Sequence, residues 1–165
     1  VQRAEPSILF TTRAAHLKNH AGQISFPGGR WEAGDCSLQQ TALREASEEV
    51  ALEPKTVSVV AQLPLYTTRT NFQISPFVGL VEPNDMQLRA DPSEVADIFE
   101  VPLAFFLDTG NFKVGEREFQ GKSRQFWTVP YQARFIWGAT AAMLRNLSLM
   151  LNAAARGPAQ NEAGG

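Results

Sequence analysis

The chain is poor in the residues that build covalent or thiolate frameworks. It holds one cysteine, Cys36, and two histidines, His16 and His20. A single thiol cannot form an internal disulfide, and it excludes a zinc site built on several thiolates. Cys36 reads as a small loop side chain. No apolar run reaches about 18 residues, the length a membrane-spanning helix needs, and no signal-peptide pattern opens at Val1. Positive charge is not in excess either: 15 Lys and Arg against 17 Asp and Glu leave a formal charge of −2. General nucleic-acid binders are usually basic, so that class is set aside. An anionic substrate must then be held by local cations or by metal. These absences lead to the expectation of a cytoplasmic protein with neither nucleic acid nor membrane as partner, and with a homodimer as an allowed assembly.

The 165 residues suffice for one domain with a real core. Hydrophobic residues at 44% and charged residues at 19% give an ordinary globular balance. No internal repeat is visible. Residues 1–155 are expected to form one α/β domain, and residues 156–165, rich in Gly, Ala and polar residues, a disordered tail.

Pattern divides the domain further. Ser7 to Arg13 is β-rich, and Gln23 to Phe26 is a short strand stopped by Pro27, Gly28 and Gly29. Ser37 has the character of an N-cap. The helix then expected runs from Leu38 to Val50, with Leu38, Ala42, Ala46 and Val50 as its buried stripe and Pro54 as its end. Strands are expected over Val57 to Leu65 and Ile74 to Val81, the second at an edge or bulge because of Pro76. Val95 to Pro102 reads as extended and Leu103 to Leu107 as a short helix. Phe112 to Pro130 reads as a hairpin turning near Gly121. From Arg134 onward the pattern predicts a long amphipathic helix, with Ile136, Thr140, Met143, Leu144, Leu147 and Leu151 packed inward.

The segment Arg44-Glu45-Ala46-Ser47-Glu48-Glu49 carries the chemistry. Glu45 and Glu49 are four residues apart and Glu48 follows Glu45 by three, so helical geometry puts the three carboxylates on one face. Such a face repels itself. It is either a solvated acidic surface or a site for a hard cation, Mg²⁺ or Mn²⁺ rather than zinc. Arg44, four residues before Glu48, can hold that carboxylate. Upstream, the Gly28-Gly29 turn allows close backbone approach, and a carbonyl there can serve as a further ligand.

These residues resemble the signature of the Nudix hydrolases. Arg44, Glu45, Ala46, Glu48, Glu49 and Leu52 match its core. Ala51 stands where the signature has Gly, the spacing from Gly29 to Arg44 is one residue longer than the standard box, and Asp35 lies near the early Glu. Both departures look like a Nudix subgroup associated with coenzyme A diphosphatase activity. So does the upstream stretch Ile8-Leu9-Phe10-Thr11-Thr12-Arg13, then His16 to His20, then Gly22-Gln23-Ile24-Ser25-Phe26-Pro27-Gly28-Gly29. Thr70-Asn71-Phe72, Glu94-Val95 and Ile136-Trp137-Gly138 are similar too, with Asn71 in place of a Gly.

The resemblance implies a Nudix fold, a mixed β-sheet sandwiched between α-helices. It implies a metal-dependent hydrolase of a diphosphate bond, with coenzyme A or an acyl form as substrate. Glu45, Glu49, Glu48 and the backbone of Gly29 are the implied metal ligands, with Mg²⁺ or Mn²⁺ as cofactor. Glu48 would share a second ion, Arg44 would support the ligands, and Glu94 is a candidate general base, an exposed loop acid being the other reading. Arg13, Lys18 and Arg69, with His20, are available cations for substrate phosphates. Tyr66 and Phe72 either stack on adenine or pack in the core. Other dinucleotides such as ADP-ribose, and a Nudix-fold binding module without catalysis, remain as alternatives.

Overall fold

The computed structural model describes residues 5–119 and 121–157, the side chain of Phe119 aside. The part of the expected tail beyond Gly157 therefore lies outside the described residues.

Two strands organise the centre. β1 (Ser7–Arg13) pairs antiparallel with β7 (Val95–Pro102), Phe10 opposite Phe99. Side chains alternate across a strand, so Leu9 and Ile98 face one way while Ile8, Phe10, Phe99 and Val101 face the other. On the first side α1 (Leu38–Val50) covers the pair, with Ala46, Val50 and Leu52 packed against Leu9 and Ile98. On the second side lies the larger core. There Phe10 meets the rings of Phe26, Phe99 and Phe106 at centroid distances of 5.3, 5.4 and 5.8 Å. Phe106 belongs to α2 (Leu103–Leu107), and α3 (Gly138–Ala155) adds Ala141 and Leu144. The centre is thus a sheet with helices on both faces.

Of the other strands, β2 (Ile24–Ser25) joins this sheet by pairing with β1, and the rest pair among themselves. β3 (Ser58–Gln62) pairs with β6 (Phe77–Leu80), and β4 (Tyr66–Thr67) with β5 (Gln73–Ile74). β8 (Lys113–Phe119), β9 (Lys122–Tyr131) and β10 (Arg134–Trp137) form a separate three-stranded sheet with β9 in the middle. Among the described residues the strand pairings are antiparallel.

Several expectations need correction. The strand expected over 57–65 is shorter than expected, and the one over 74–81 is split. β3 stops at Gln62 before Pro64, and Pro76, which offers no N–H, separates β5 from β6 while its carbonyl accepts from Leu63 N at 2.9 Å. The last helix begins at Gly138, not Arg134. Residues 134–137 are a strand whose spacing happens to keep phase with the helix, and Gly138 at φ 66° makes the corner. Ile136 is fully buried, but on that strand. Leu38 and Leu151 are exposed, each at an end of its helix where the sheet no longer covers it.

α1 starts as expected. Ser37 Oγ accepts from Gln40 N at 3.1 Å, and the Gln40 side chain returns to Cys36 N at 2.7 Å. Its end is not set by Pro54, which opens a 3₁₀ turn. Ala51 takes a left-handed conformation, φ 57°, and donates to Ser47 O at 3.0 Å. An alanine there is strained by about 1–2 kcal/mol. Ala51→Gly is therefore expected to stabilise the protein by about 0.5–1 kcal/mol, after the extra freedom of the unfolded glycine is deducted. Thermal melts should show a rise of roughly 1–4 °C. A lower melting temperature would contradict the strain.

Candidate active site

The turn after β2 and the exposed side of α1 meet through two carboxylates. Gly28 N donates to Glu49 Oε2 at 3.1 Å, and Arg30 N donates to Glu45 Oε1 at 3.1 Å. Between these amides sits Gly29. A β-carbon added there would overlap the Glu45 carboxylate, so only glycine lets the turn lie against the helix this closely. Thus the Gly29 and Glu45 of the sequence reading are in contact. Glu45 and Glu49 reach the same turn, as their spacing of one helical turn requires.

Arg44 gathers the surrounding groups. Its Nε and Nη2 donate to Asp35 at 3.0 and 3.1 Å, its Nη2 also to Arg30 O at 2.9 Å and Glu45 Oε1 at 3.1 Å, and its Nη1 to Glu48 Oε2 at 3.1 Å. The expected Arg44–Glu48 pair is present, but Glu48 is the exposed end of this network. Asp35 is its buried end. It also accepts from Thr41 Oγ1 at 2.9 Å and Glu32 N at 3.1 Å. The Arg44 guanidinium, aided by those two donors against the effect of burial, holds the Asp35 carboxyl down at about 2. The loop between Gly29 and Ser37 bends so that Asp35 is buried beneath Arg44. Asp35 was marked in the sequence only by its place in the box. The signal for its role was the polar Thr41 on the inward side of the helix, where an apolar residue is the rule.

Glu49 is the unusual acid. It is 5% exposed, and burial pushes its carboxyl up to about 7. The Gly28 amide opposes this, the charges of Glu94 and Glu45 add to it, and Arg13 offsets part of it. Glu94 reaches the site through a loop bound to α1: Asp91 N donates to Glu49 O at 2.9 Å and Arg89 N to Val50 O at 3.0 Å. Ala14 N then donates to Glu94 O at 2.8 Å, and His16 Nε2 lies 3.1 Å from Ser93 O. A bulge where β1 meets β7, between Thr12 and Arg13, brings Arg13 to this corner. Its Nε is buried without a hydrogen-bond partner among the described residues.

Among the described residues no three acidic, histidine or cysteine side chains converge as a ready-made coordination sphere. The donor chemistry nevertheless fits a hard divalent cation. Two carboxylates are held by successive turns of one helix against a backbone loop, one is buried against its own charge, and no soft ligand competes. A cation there would offset both the burial and the neighbouring charges that raise Glu49.

The candidate phosphate cations fall in different places. Arg13 adjoins Glu49. Lys18 and His20 are exposed in the loop before β2, with no contact that brings them to the acids. Arg69 lies in the β4–β5 turn, where its Nη2 donates to Gln125 O. Tyr66 and Arg69 line a cleft of about 600 Å³ with Arg117, Arg124, Phe126 and Trp137, the last four not foreseen as site residues. Phe72 is exposed beneath the Arg30 guanidinium, 5.1 Å from its ring centre. Neither Tyr66 nor Phe72 belongs to the core. Asn71, at φ 66°, takes the backbone conformation that glycine favours.

Helix, turn and carboxylates together are the arrangement of the Nudix fold, and the NUDIX domain family model matches residues 1–119. The chain belongs to the Nudix family and is a hydrolase. Among its relatives are the uncharacterised Nudix hydrolases NudL of Salmonella paratyphi B and Salmonella newport. Each is 44% identical over 151 residues, which cover 92% of this chain and 78% of the relative. The NudL of Salmonella enteritidis PT4 is similar to the same extent. Hydrolases of this family act on small nucleotide substrates and generally use divalent metal ions. No helix among the described residues is long and apolar enough to cross a membrane.

Proposed function

We propose that this chain hydrolyses the diphosphate of coenzyme A or an acyl-coenzyme A, giving 4′-phosphopantetheine (or its acyl form) and adenosine 3′,5′-bisphosphate. The observation that carries the reading is the joint match of residues 11–29 and the lengthened box. Within that box Asp35 lies under Arg44. Residues 1–155 form the catalytic domain, acting in the cytoplasm.

Glu45 and Glu49 would hold the divalent cation, Mg²⁺ or Mn²⁺, with the Gly29 carbonyl and Glu48 as further ligands. Bound there, the cation supplies charge neutralisation for the diphosphate and lowers the pKa of a water. Arg44 fixes Glu45 and Glu48 through its guanidinium, and Asp35 fixes Arg44. Glu94, exposed and within electrostatic reach of Glu49, accepts the proton of the attacking water. The water oxygen forms a bond to one phosphorus, the bridging P–O bond breaks, and the bridging oxygen leaves on the other phosphate. Arg13, whose Nε is buried without a partner among the described residues, receives a phosphate oxygen through its guanidinium. Lys18 and Arg69 supply outer contacts to the anion.

Asp35→Asn is expected to lower kcat/KM by roughly ten- to a hundredfold, because Arg44 loses the charge that orients it. The activation curve should also move to higher Mg²⁺. Unaltered kinetics would remove Asp35 from the support of the site. The substrate reading itself is tested by a panel containing coenzyme A, acetyl-coenzyme A, ADP-ribose and dinucleotides, with Mg²⁺ or Mn²⁺ and chromatographic separation of products. Coenzyme A derivatives should be cut fastest.

A further inference from the structure

Resting on the reading of Glu45 and Glu49 as the reaction centre, we propose that Arg30 binds the diphosphate of the substrate, and that Phe72 is the positioning residue that holds its guanidinium for that contact. The backbone of Arg30 is built into the acid network. Its N–H donates to Glu45 Oε1 at 3.1 Å, and its carbonyl accepts from Arg44 Nη2 at 2.9 Å. Its side chain takes no part in that network. Asp35, Glu45 and Glu48 are paired with Arg44 instead. Among the described residues the Arg30 guanidinium makes neither a hydrogen bond nor an ion pair. What it touches is the face of Phe72, with Cζ 5.1 Å from the ring centre. A stacked guanidinium engages only its flat face. Its five N–H groups stay in plane, where a phosphate can accept from two of them at once.

The turn that carries the ring is braced. Thr68 N donates to Phe72 O at 2.7 Å, Phe72 N to Thr68 Oγ1 at 3.0 Å, and Asn71 N to Thr68 O at 3.0 Å. Asn71, at φ 66°, lets the chain reverse there, and Arg69 ties the turn to Gln125 O of β9. So held, Phe72 is still 51% exposed and belongs to neither core cluster. A ring left this open contributes little by burial. Charge also calls for a cation at this corner. Asp35, Glu45, Glu48, Glu49 and Glu94 gather there against Arg13 and Arg44. With all of them ionised, a bound divalent cation still leaves one negative charge in excess, before a diphosphate adds its own. Arg30 supplies a further guanidinium, on a residue whose own amide touches Glu45.

The test measures binding of α,β-methylene-ADP with Mg²⁺ by calorimetry, beside kcat and KM for coenzyme A. The methylene bridge resists hydrolysis, so binding is read without turnover. The proteins are wild type, Arg30→Gln, Arg30→Lys, Phe72→Leu and the double variant of Arg30→Gln with Phe72→Leu. Arg30→Gln is expected to weaken binding and lower kcat/KM by roughly ten- to a hundredfold. Arg30→Lys should lose less, because it keeps the charge and gives up the fork. Phe72→Leu should cost about two- to fivefold in the wild-type background and nothing further beside Arg30→Gln, as for a residue that acts through another. Unchanged binding in folded Arg30→Gln overturns the proposal. So does a loss that disappears at higher Mg²⁺, which would put the effect on the acids, and so does a wild-type protein that fails to bind the analogue. Equal losses from Phe72→Leu in both backgrounds overturn its positioning role. If Glu49→Gln keeps turnover while Arg30→Gln still binds the analogue weakly, the reading of the acids fails and the Arg30 contact stands.

Discussion

Glu49→Gln should lower turnover by more than about a hundredfold while the metal-free protein becomes more stable at pH 8. The loss of turnover follows because a neutral amide is a poor ligand for a hard cation. The gain in stability follows from linkage. The folded protein holds the Glu49 carboxyl at about 7 against an ordinary 4.5, chiefly by burial and also through the charges of Glu94 and Glu45. A raised carboxyl favours the fold in its protonated form. That benefit is fully present below pH 4.5 and is lost as pH rises through 7. Metal-free wild type at pH 8 thus carries an ionised buried acid costing at most about 3 kcal/mol. Glutamine removes the charge and can still accept from Gly28 N. Melts in chelator should show the variant above wild type at pH 8, with the difference shrinking by pH 5. Near-normal turnover at saturating Mg²⁺, or a pH-independent difference, would contradict the assignment.

Gly29→Ala should behave differently, losing activity with little change in stability. Its backbone is not in the left-handed region, so alanine meets no strain of conformation. What the new methyl meets is the end of the Glu45 side chain, which can swing into solvent at small cost to the fold. Swinging away breaks the contact with Arg30 N and moves the carboxylate proposed to hold the cation by about an ångström. Misplacement of that size costs on the order of a hundredfold in rate. Steady-state kinetics beside a thermal melt separate the two effects. A variant with wild-type kinetics would show that Glu45 need not lie against the turn, and a variant that unfolds would show that the turn serves mainly the fold.

The sequence was most legible where local chemistry and packing agree. β1, α1, β7 and α2 fall where side-chain period, the Ser37 cap and flanking residues put them. It misled at residues 134–137, because a strand of alternating burial running into a helix can keep the helical phase. The glycine at 138 was the better signal. Burial at helix ends was also illegible, since Leu38 and Leu151 are apolar by type but exposed by position. In the site, the shared face of Glu45 and Glu49 and the pairing of Arg44 with Glu48 could be read from spacing. The raised Glu49 carboxyl could not, because burial of an acid depends on what packs over it, here the loop that carries Glu94.

The most direct test of the substrate assignment is a competition. Equal concentrations of coenzyme A and ADP-ribose are given to the wild-type enzyme with Mg²⁺, and then with Mn²⁺, and the loss of each is followed by chromatography. The ratio of the logarithmic decays gives the ratio of kcat/KM. Coenzyme A should be consumed at least about tenfold faster, a ratio equivalent to about 1.4 kcal/mol or more in transition-state binding, with 4′-phosphopantetheine and adenosine 3′,5′-bisphosphate appearing in equal amounts. Faster loss of ADP-ribose with either metal would contradict it and leave a Nudix hydrolase of another nucleotide.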